Sequence, residues 1–426
     1  MRSVRIVAIF IALVATASVL SAQPTYNVKN YGAVGDGSDA TAAFQAAITA
    51  ASAGGGGEIM VPAGRYGLSA SLHITTPAIT LVGEGPGASV IISSAATGDV
   101  VAFGNTSAAF SPCGGMRGLS IKSSVTRTSG AALTIDGCQQ GEFQHLELAT
   151  TGGDGIHLSP TGHLCAILHF SDLHIIVTGA FNGILVQGGN DRYFRSAWIT
   201  GNMSSGSRGI NIQFSGGDWY TDIESVGFEY GVLINPGTGQ GVTWGHMVNV
   251  LTDSNTAQGY RITSSGGYVW GMTFTAPWAS SNGFSSANGR GFYINAGSGI
   301  LIESPRVINN GGHGIEIAGG TSVKIIGGVI SSNSQQSHGT FDAINVNSSA
   351  GGFQIIGTTA GSGGIGGITQ RYGLSIAAGS DNFLVQGADF TGNVTGAVQV
   401  TPGASATRRF LGDLPYNSAL EKASSP

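Results

Sequence analysis

Between Ala132 and Val400 the chain returns eleven times to one short unit, an Ala or Gly followed by alternating apolar residues. The unit opens at Ala132 (ALTI), Gly155 (GIHL), Gly183 (GILV), Gly209 (GINI), Gly231 (GVLI) and Gly259 (GYRI). It continues at Gly291 (GFYI), Gly314 (GIEI), Ala343 (AINV), Gly373 (GLSI) and Ala397 (AVQV). Successive intervals are 23, 28, 26, 22, 28, 32, 23, 29, 30 and 24 residues. A strand of this length turns every second side chain to one face and cannot bury that face alone. Repeated at a nearly fixed interval, it can stack on copies of itself. The recurrence therefore predicts an all-β, single-stranded parallel β-helix of about 11 or more coils. Such a chain needs many tight corners, and 71 of the 426 residues are Gly, with no three-residue period that would indicate collagen.

Charge narrows the class further. Asp, Glu, Lys and Arg make up 10% of the chain, against about 25% in ordinary soluble domains. That argues against disorder, coiled coil and nucleic-acid binding, each of which needs many charged side chains. Arg2 and Arg5 precede an apolar run from Ile6 to Leu20, which predicts a secretory signal peptide over residues 1–22, cleaved after Ala22. Ala15, Thr16 and Ala17 offer a competing cleavage site, and an uncleaved membrane anchor is the alternative. Residues 23–401 then form the β-helix with an N-terminal cap, and 402–426 a tail or end cap. The mature chain carries 16 basic and 23 acidic side chains, near −7. It has no electrostatic reason to bind nucleic acid or, once the leader is removed, a membrane.

The stretch YNVKNYGAVGDGSDATAAFQAAI from Tyr26 to Ile48, followed by a Gly run and GEIMVPAGRYGLSASLHI, reads as strand, Gly-rich turn, helix and strand. Ser38 or Asp39 can cap a helix whose apolar face is Phe44, Ala47 and Ile48, and Gly54 to Gly57 end it. This passage resembles the N-terminal signature of the pectin-lyase-like superfamily of right-handed parallel β-helices, in which a short helix plugs the open end of the coil. Ala40 stands where that turn usually has a second Asp. The resemblance implies the fold and polysaccharide as the substrate class. The same opening occurs on phage tail spikes, so it does not name a reaction.

Two further patterns are structural. Asn202, Asn255, Asn282, Asn310, Asn333 and Asn393 recur just after strands at one-coil or two-coil spacing, where a residue tolerant of left-handed backbone is useful. Cys138 and Cys165 are 27 apart, the offset that also aligns Phe143 with Phe170. They are expected to stack on neighbouring coils, as a disulfide or as two buried thiols, leaving Cys113 single. No cysteine spacing of metal-binding type is present.

Stacking the coils brings candidate functional groups into two clusters. In the first, the outward third position of each unit and the residue preceding its first Gly form adjacent columns. These gather His313, Glu316 and Asp342 as candidate catalytic groups, with Arg261, Arg290 and Tyr293 to hold a sugar ring. GGHGIEI around His313 resembles the GHG element of the polygalacturonase family. The paired-Asp and RIK elements of that family are missing, and so is the pectate-lyase signature of Arg near a Ca²⁺-binding Asp cluster.

The second cluster lies on the other strand of each coil. Offsets of 27, 24 and 26 align His145 with Asp172, Ser196 and Asp222, and Glu147 with His174, Trp198 and Glu224; continued further, the column reaches Trp278 and Arg306. Asp172, Asp222 and Glu224 are the candidate catalytic carboxylates here, and His145, Glu147, His174 and Trp198 the substrate-binding groups. Carboxylates one coil apart lie about 5 Å from each other and two coils apart about 10 Å, which brackets the separations used by retaining and inverting glycosidases. An ordered ladder of mutually neutralising His and acid groups that stabilises stacking is the structural alternative. His169, five residues before His174, is expected on the opposite side of its strand. Trp219, Tyr220, Trp244 and Trp270 fit core or platform equally.

These features predict a secreted or surface glycoside hydrolase with paired carboxylates, acting on polysaccharide with no cofactor. A polysaccharide lyase, for which Ca²⁺ would be a candidate cofactor, is the first alternative. A non-catalytic adhesin or spike-like module is the second, because GITQRYGLSI and GSDNFLVQGADFTGN resemble segments of phage tail spikes. A homotrimer is common among such spikes, although this chain has no coiled-coil segment to drive one.

Overall fold

The computed structural model describes residues 23–104, 111–159, 165–284, 286, 288–361, 367, 369–380, 382–401 and 408–413. The expected leader and most of the expected C-terminal segment lie outside these residues. No described helix is long and apolar enough to cross a membrane.

One parallel sheet of 13 strands runs in strict chain order from Leu72–Ile74 to Gly396–Val400. It contains all eleven units read from the sequence, preceded by two further strands at Leu72–Ile74 and Val101–Gly104. The register matches the expected columns: Arg261 pairs with Tyr293, Tyr293 with Glu316, and Glu316 with Asn345. A second sheet of 21 strands closes the coils, again with parallel pairing. The molecule is thus a parallel β-helix. Helix α1, Thr41–Ala53, packs Phe44, Ala47 and Ile48 into the core beside the first strands. Asp39 stands at its start and accepts hydrogen bonds from the Thr41 backbone N–H and hydroxyl, while Gly54 closes the other end.

The interior is built from like stacked on like. Phe143, Phe170, Phe194 and Tyr220 occupy one register, with ring centroids 5.1, 4.5 and 5.0 Å apart. Parallel pairing puts the same coil position directly above itself, so one aromatic choice propagates along the helix axis. The asparagines form a second ladder. Asn255 donates to Asn282 at 2.8 Å, Asn282 to Asn310 at 2.9 Å and Asn310 to Asn333 at 2.8 Å. Their role is structural as expected, but the left-handed backbone falls one residue earlier, at Ser254, Ser281, Asn309 and Ser332. That conformation turns each asparagine inward, where its amide satisfies buried carbonyls.

Cysteine pairing differs from the expectation. Cys113 and Cys138, with Cα atoms 5.2 Å apart, form the disulfide, and Cys165 is the free, buried thiol. The separation of Cys113 and Cys138 is 25 residues, so Cys138 lies two residues before the position that the strand offset of 27 aligns with Cys113. The aligned strands therefore hide the fact that these two cysteines meet. Arg192, just before strand Tyr193–Thr200, is fully buried and bound to the equally buried Asp218 through Nε at 3.0 Å and Nη2 at 2.6 Å.

Candidate active-site groove

Among the left-handed residues of each coil, one falls at an aligned bend in the middle of the larger sheet. This column runs Gly118, His145, Asp172, Ser196, Asp222, Asn249, Ala276, Ser304, Gly327, Gly357 and Gly387, with φ between 49° and 65° throughout. Gly adopts this conformation without strain, whereas an L side chain costs about 1–2 kcal/mol. Four positions in the column are Gly. Over five successive coils the column instead carries His, Asp, Ser, Asp and Asn. Polar side chains at sites where glycine is cheaper point to a use for those side chains.

Those five coils line a groove of about 620 Å³. Its floor is Leu146, Leu173, Ala197 and Ile223, the inward-turned residues just after each bend, all nearly inaccessible. Two columns stand above that floor. One is the bend itself, with His145, Asp172, Ser196, Asp222 and Asn249; the other, two residues on, is Glu147, His174, Trp198, Glu224 and Leu251. All seven members of the second sequence-derived cluster therefore share one groove. The extension also follows the register, from Leu251 to Trp278 and then Arg306, whose guanidinium lies 5.9 Å from the Trp278 ring centre.

The groups in the groove differ in how far they are already engaged. Glu147 accepts from the Ser120 hydroxyl at 2.7 Å and from Lys122 Nζ at 3.0 Å. Burial opposes its ionisation. The two hydrogen bonds and the nearby Lys122 and His174 outweigh that penalty and hold the carboxyl below its ordinary value. Asp222 is oriented by Asn249 Nδ2 at 2.7 Å. His145, Asp172 and Glu224 make no side-chain hydrogen bond or ion pair with any described residue. Trp198 is 52% exposed, with one ring face covered by the parallel His174 ring at 4.8 Å. No Lys or Arg lines the groove among the described residues.

Ser196 lines the groove where the offset of 24 places it, whereas Asn249 and Pro86 also line it and were missed by sequence reasoning. One more slide of 27 from Asp222 reaches Asn249 and would have found it. His169 also corrects the expectation. It is exposed on the outer surface like His174, because the left-handed residue Asp172 between them resets the alternation of the strand. No group of three or more His, Cys, Asp or Glu side chains able to hold a metal ion occurs among the described residues.

The first cluster is arranged differently. Its outward positions are covered by long side chains from neighbouring coils. Asp342 is 0% exposed and accepts from Arg371 Nε at 2.9 Å and Nη2 at 2.8 Å, and from the Tyr372 backbone N–H. Glu316 is buried between Arg290 Nε and Asn347 Nδ2. His313 accepts the Asp342 backbone N–H on Nδ1 at 2.9 Å, and burial keeps its pKa below the ordinary histidine value despite the acids beside it. The expectation that this trio presents free groups for proton transfer is therefore corrected: two arginines, reaching from adjacent coils, occupy both carboxylates. Arg261, Arg290 and Tyr293 do come together, in a smaller concavity of about 250 Å³. There Arg261 lies between the Tyr230 and Tyr293 rings, 5.3 and 5.2 Å from their centres.

A single-stranded parallel solenoid with a short helix at its start and an outer groove defines the class: the chain is a parallel β-helix protein, similar over its N-terminal part to a pectate-lyase-like family. The model of the family described as rhamnogalacturonase A/epimerase, pectate lyase-like, matches residues 25–232. Among curated proteins, mannuronan C5-epimerase AlgE1 of Azotobacter vinelandii is 49% identical over 73 residues, which is 16% of this chain and 5% of that protein. AlgE4 of the same organism is 38% identical over 143 residues, 30% of this chain and 23% of that protein. The chain thus matches only a small part of the length of these relatives. Among solved structures, the A-module of AlgE4 superposes with a TM-score of 0.57 at 18% identity, covering 89% of this chain and 99% of the module. An N-terminal fragment of bacteriophage Phi29 gene product 12 gives 0.65 at 13% identity, covering 92% and 71%. At these identities the structural likeness establishes the fold.

Proposed function

We propose that the protein is a secreted glycoside hydrolase acting on an uncharged polysaccharide, with Asp172 and Asp222 as its paired carboxylates. The observation that carries this reading is their position. Both take a left-handed bend that glycine fills elsewhere in the column, both face one groove, and they lie two coils apart. Two coil spacings amount to about 10 Å, close to the roughly 6.5–9.5 Å that leaves room for a water between acid and base. Asp222, held in place by Asn249, is assigned to activate that water. Asp172, which no described group engages, is assigned to protonate the leaving glycosidic oxygen. The exposed Trp198 ring stands on the coil between them, beside the scissile position, as a stacking surface for a pyranose.

Electrostatics supports an uncharged glycan. Four acidic side chains and no Lys or Arg line the groove among the described residues. A chain of uronates entering there would meet repulsion without a cation to neutralise each carboxylate. The reaction as assigned requires no metal.

The sequence similarity to mannuronan C5-epimerases supports a second reading, modification of a uronan without cleavage. The purified protein should be incubated with neutral glucans, mannans and xylans and, separately, with alginate and polygalacturonate, and the products examined. New reducing ends from a neutral polymer support hydrolysis. An unsaturated-uronate absorbance means lyase, C5 inversion at constant chain length means epimerase, and saturable binding without product means a spike-like binding module.

A further inference from the structure

A second surface on the same strands carries features that the groove does not use. Trp244, Tyr268 and Trp270 are 56%, 59% and 46% exposed, and Trp219 beside them is 39% exposed. They cluster on a small three-stranded parallel sheet, Ser215–Gly216, Gly241–Thr243 and Tyr268–Trp270, and on the strand start that follows it. The side chains rimming them are polar or absent: Thr238, Gly239, Ser265 and Gly266 are exposed, and no aliphatic side chain of these loops is.

The local backbone is shaped around these rings. Gly217, Trp244, Gly271 and Gly299 hold equivalent positions on four successive coils, each donating its N–H to the next coil. All four are left-handed, with φ of 69°, 49°, 68° and 66°. Three are glycine. On the three coils before these, the same position carries Gln140, Ile167 and Asp191, so this left-handed residue can bear a side chain, and at Trp244 that side chain is a large, strained indole. Its indole lies over Gly271, where an added Cβ would meet Trp244 Cδ1 at 3.1 Å. Tyr268 lies over Gly241, where an added Cβ would fall 2.6 Å from ring carbon Cε2. Each ring rests against bare backbone, with more than half of its surface left to solvent. Trp244 and Trp270 meet edge to face at 5.1 Å, so the edge of one indole rests on the face of the other and the two rings point in different directions.

We infer that Trp244, Tyr268 and Trp270, with Trp219 at their edge, form a second polysaccharide-binding platform that stacks pyranose rings of the polymer whose cleavage is proposed for the groove. The inference rests on that reading for its substrate class. The chemistry favours a sugar: preorganised aromatic faces rimmed by hydroxyls, with Asp191 beside Gly217 and His246 stacked on Trp219 as the ionisable groups at the edge, suit the apolar face and hydroxyl edge of a pyranose. Continuity with the groove points the same way. Trp219 begins the strand that carries Asp222 and Glu224, and Trp244 lies just before the strand that carries Asn249. Three to five strand residues separate platform from groove, on the order of 10–17 Å. One long glycan can span both, and a short oligosaccharide cannot. Engagement at the platform raises the effective concentration of the polymer at the groove.

The test is affinity electrophoresis of the full chain in native gels containing hydroxyethyl cellulose, xyloglucan, galactomannan or laminarin. The wild type is compared with the double variant Trp244→Gly/Tyr268→Ala and with Asp172→Asn/Asp222→Asn. Trp244→Gly removes the strained φ, so thermal unfolding of the first double variant reports whether the fold is intact. The expected result is retardation of the wild type by at least one polymer, weakened about tenfold in the platform variant and preserved in the Asp variant. Equal retardation of a folded platform variant overturns the inference. So does a wild type that none of the four polymers retards, or a wild-type dimer that the platform substitutions dissolve. Loss of retardation with unchanged hydrolysis of a short oligosaccharide separates the two sites. If the platform variant loses binding while the Asp variant keeps its turnover, the platform stands and the assignment in the groove fails.

Discussion

Asp172 and Asp222 occupy the same left-handed bend of the β-helix two coils apart, with Ser196 at that bend on the coil between them. The parallel register fixes their separation without any contact between the two side chains. Asp172→Asn and Asp222→Asn are each expected to lower turnover by about a hundredfold or more. Ala276→Gly, which keeps the same left-handed bend on the coil just beyond the groove, should leave it within about twofold. Initial rates on the polymer identified by product screening check this.

Trp198 should act through binding. With the ring 52% exposed and stacked on His174, Trp198→Ala removes little core packing. It is expected to raise KM about tenfold with a smaller change in kcat, in line with the loss of a stacking surface. Steady-state kinetics of the variant against the wild type separate the two effects.

The asparagine ladder should be a stability element independent of activity. Asn282 accepts from Asn255 and donates to Asn310 and to the Thr252 carbonyl, all in buried surroundings. Asn282→Ala leaves several buried polar groups unpaired and is expected to cost about 2–3 kcal/mol. A lower midpoint in urea with an unchanged slope checks it.

His313 should confer a pH dependence on stability. Burial lowers its pKa in the folded protein, and its Nδ1 accepts the Asp342 N–H, which requires the neutral ring. The unfolded chain therefore takes up a proton more readily than the folded one as pH drops below about 6.5. Stability is full above that value and falls as pH decreases toward the lowered folded pKa. His313→Gln is expected to flatten this part of the Tm profile, measured by thermal unfolding across that range.

The coil register was legible in the sequence because parallel strands repeat their inward positions at nearly one offset. Aligning Phe143 with Phe170 correctly aligned His145 with Asp172 and Glu147 with His174. The same offset misled at Cys113, which aligns with Gln140 but bonds to Cys138 two residues earlier. The bend column was hidden because its residues over these coils are not glycine, so nothing marked the positive φ at Asp172 that turns His169 and His174 to one side. The reach of Arg371 and Arg290 over Asp342 and Glu316 was hidden for another reason: columns give the height of a side chain along the axis, and not how far a flexible neighbour folds back across it.

The configuration of the sugar released in the first minutes of reaction tests the central claim most directly. With a polymer that the protein cleaves, proton NMR of the newly formed reducing end should show the anomer opposite to that of the bond broken, since carboxylates two coils apart leave room for a water to attack from the far face. First release with retained configuration would contradict the pairing of Asp172 with Asp222. Failure to release reducing ends from any uncharged polysaccharide would contradict hydrolysis itself.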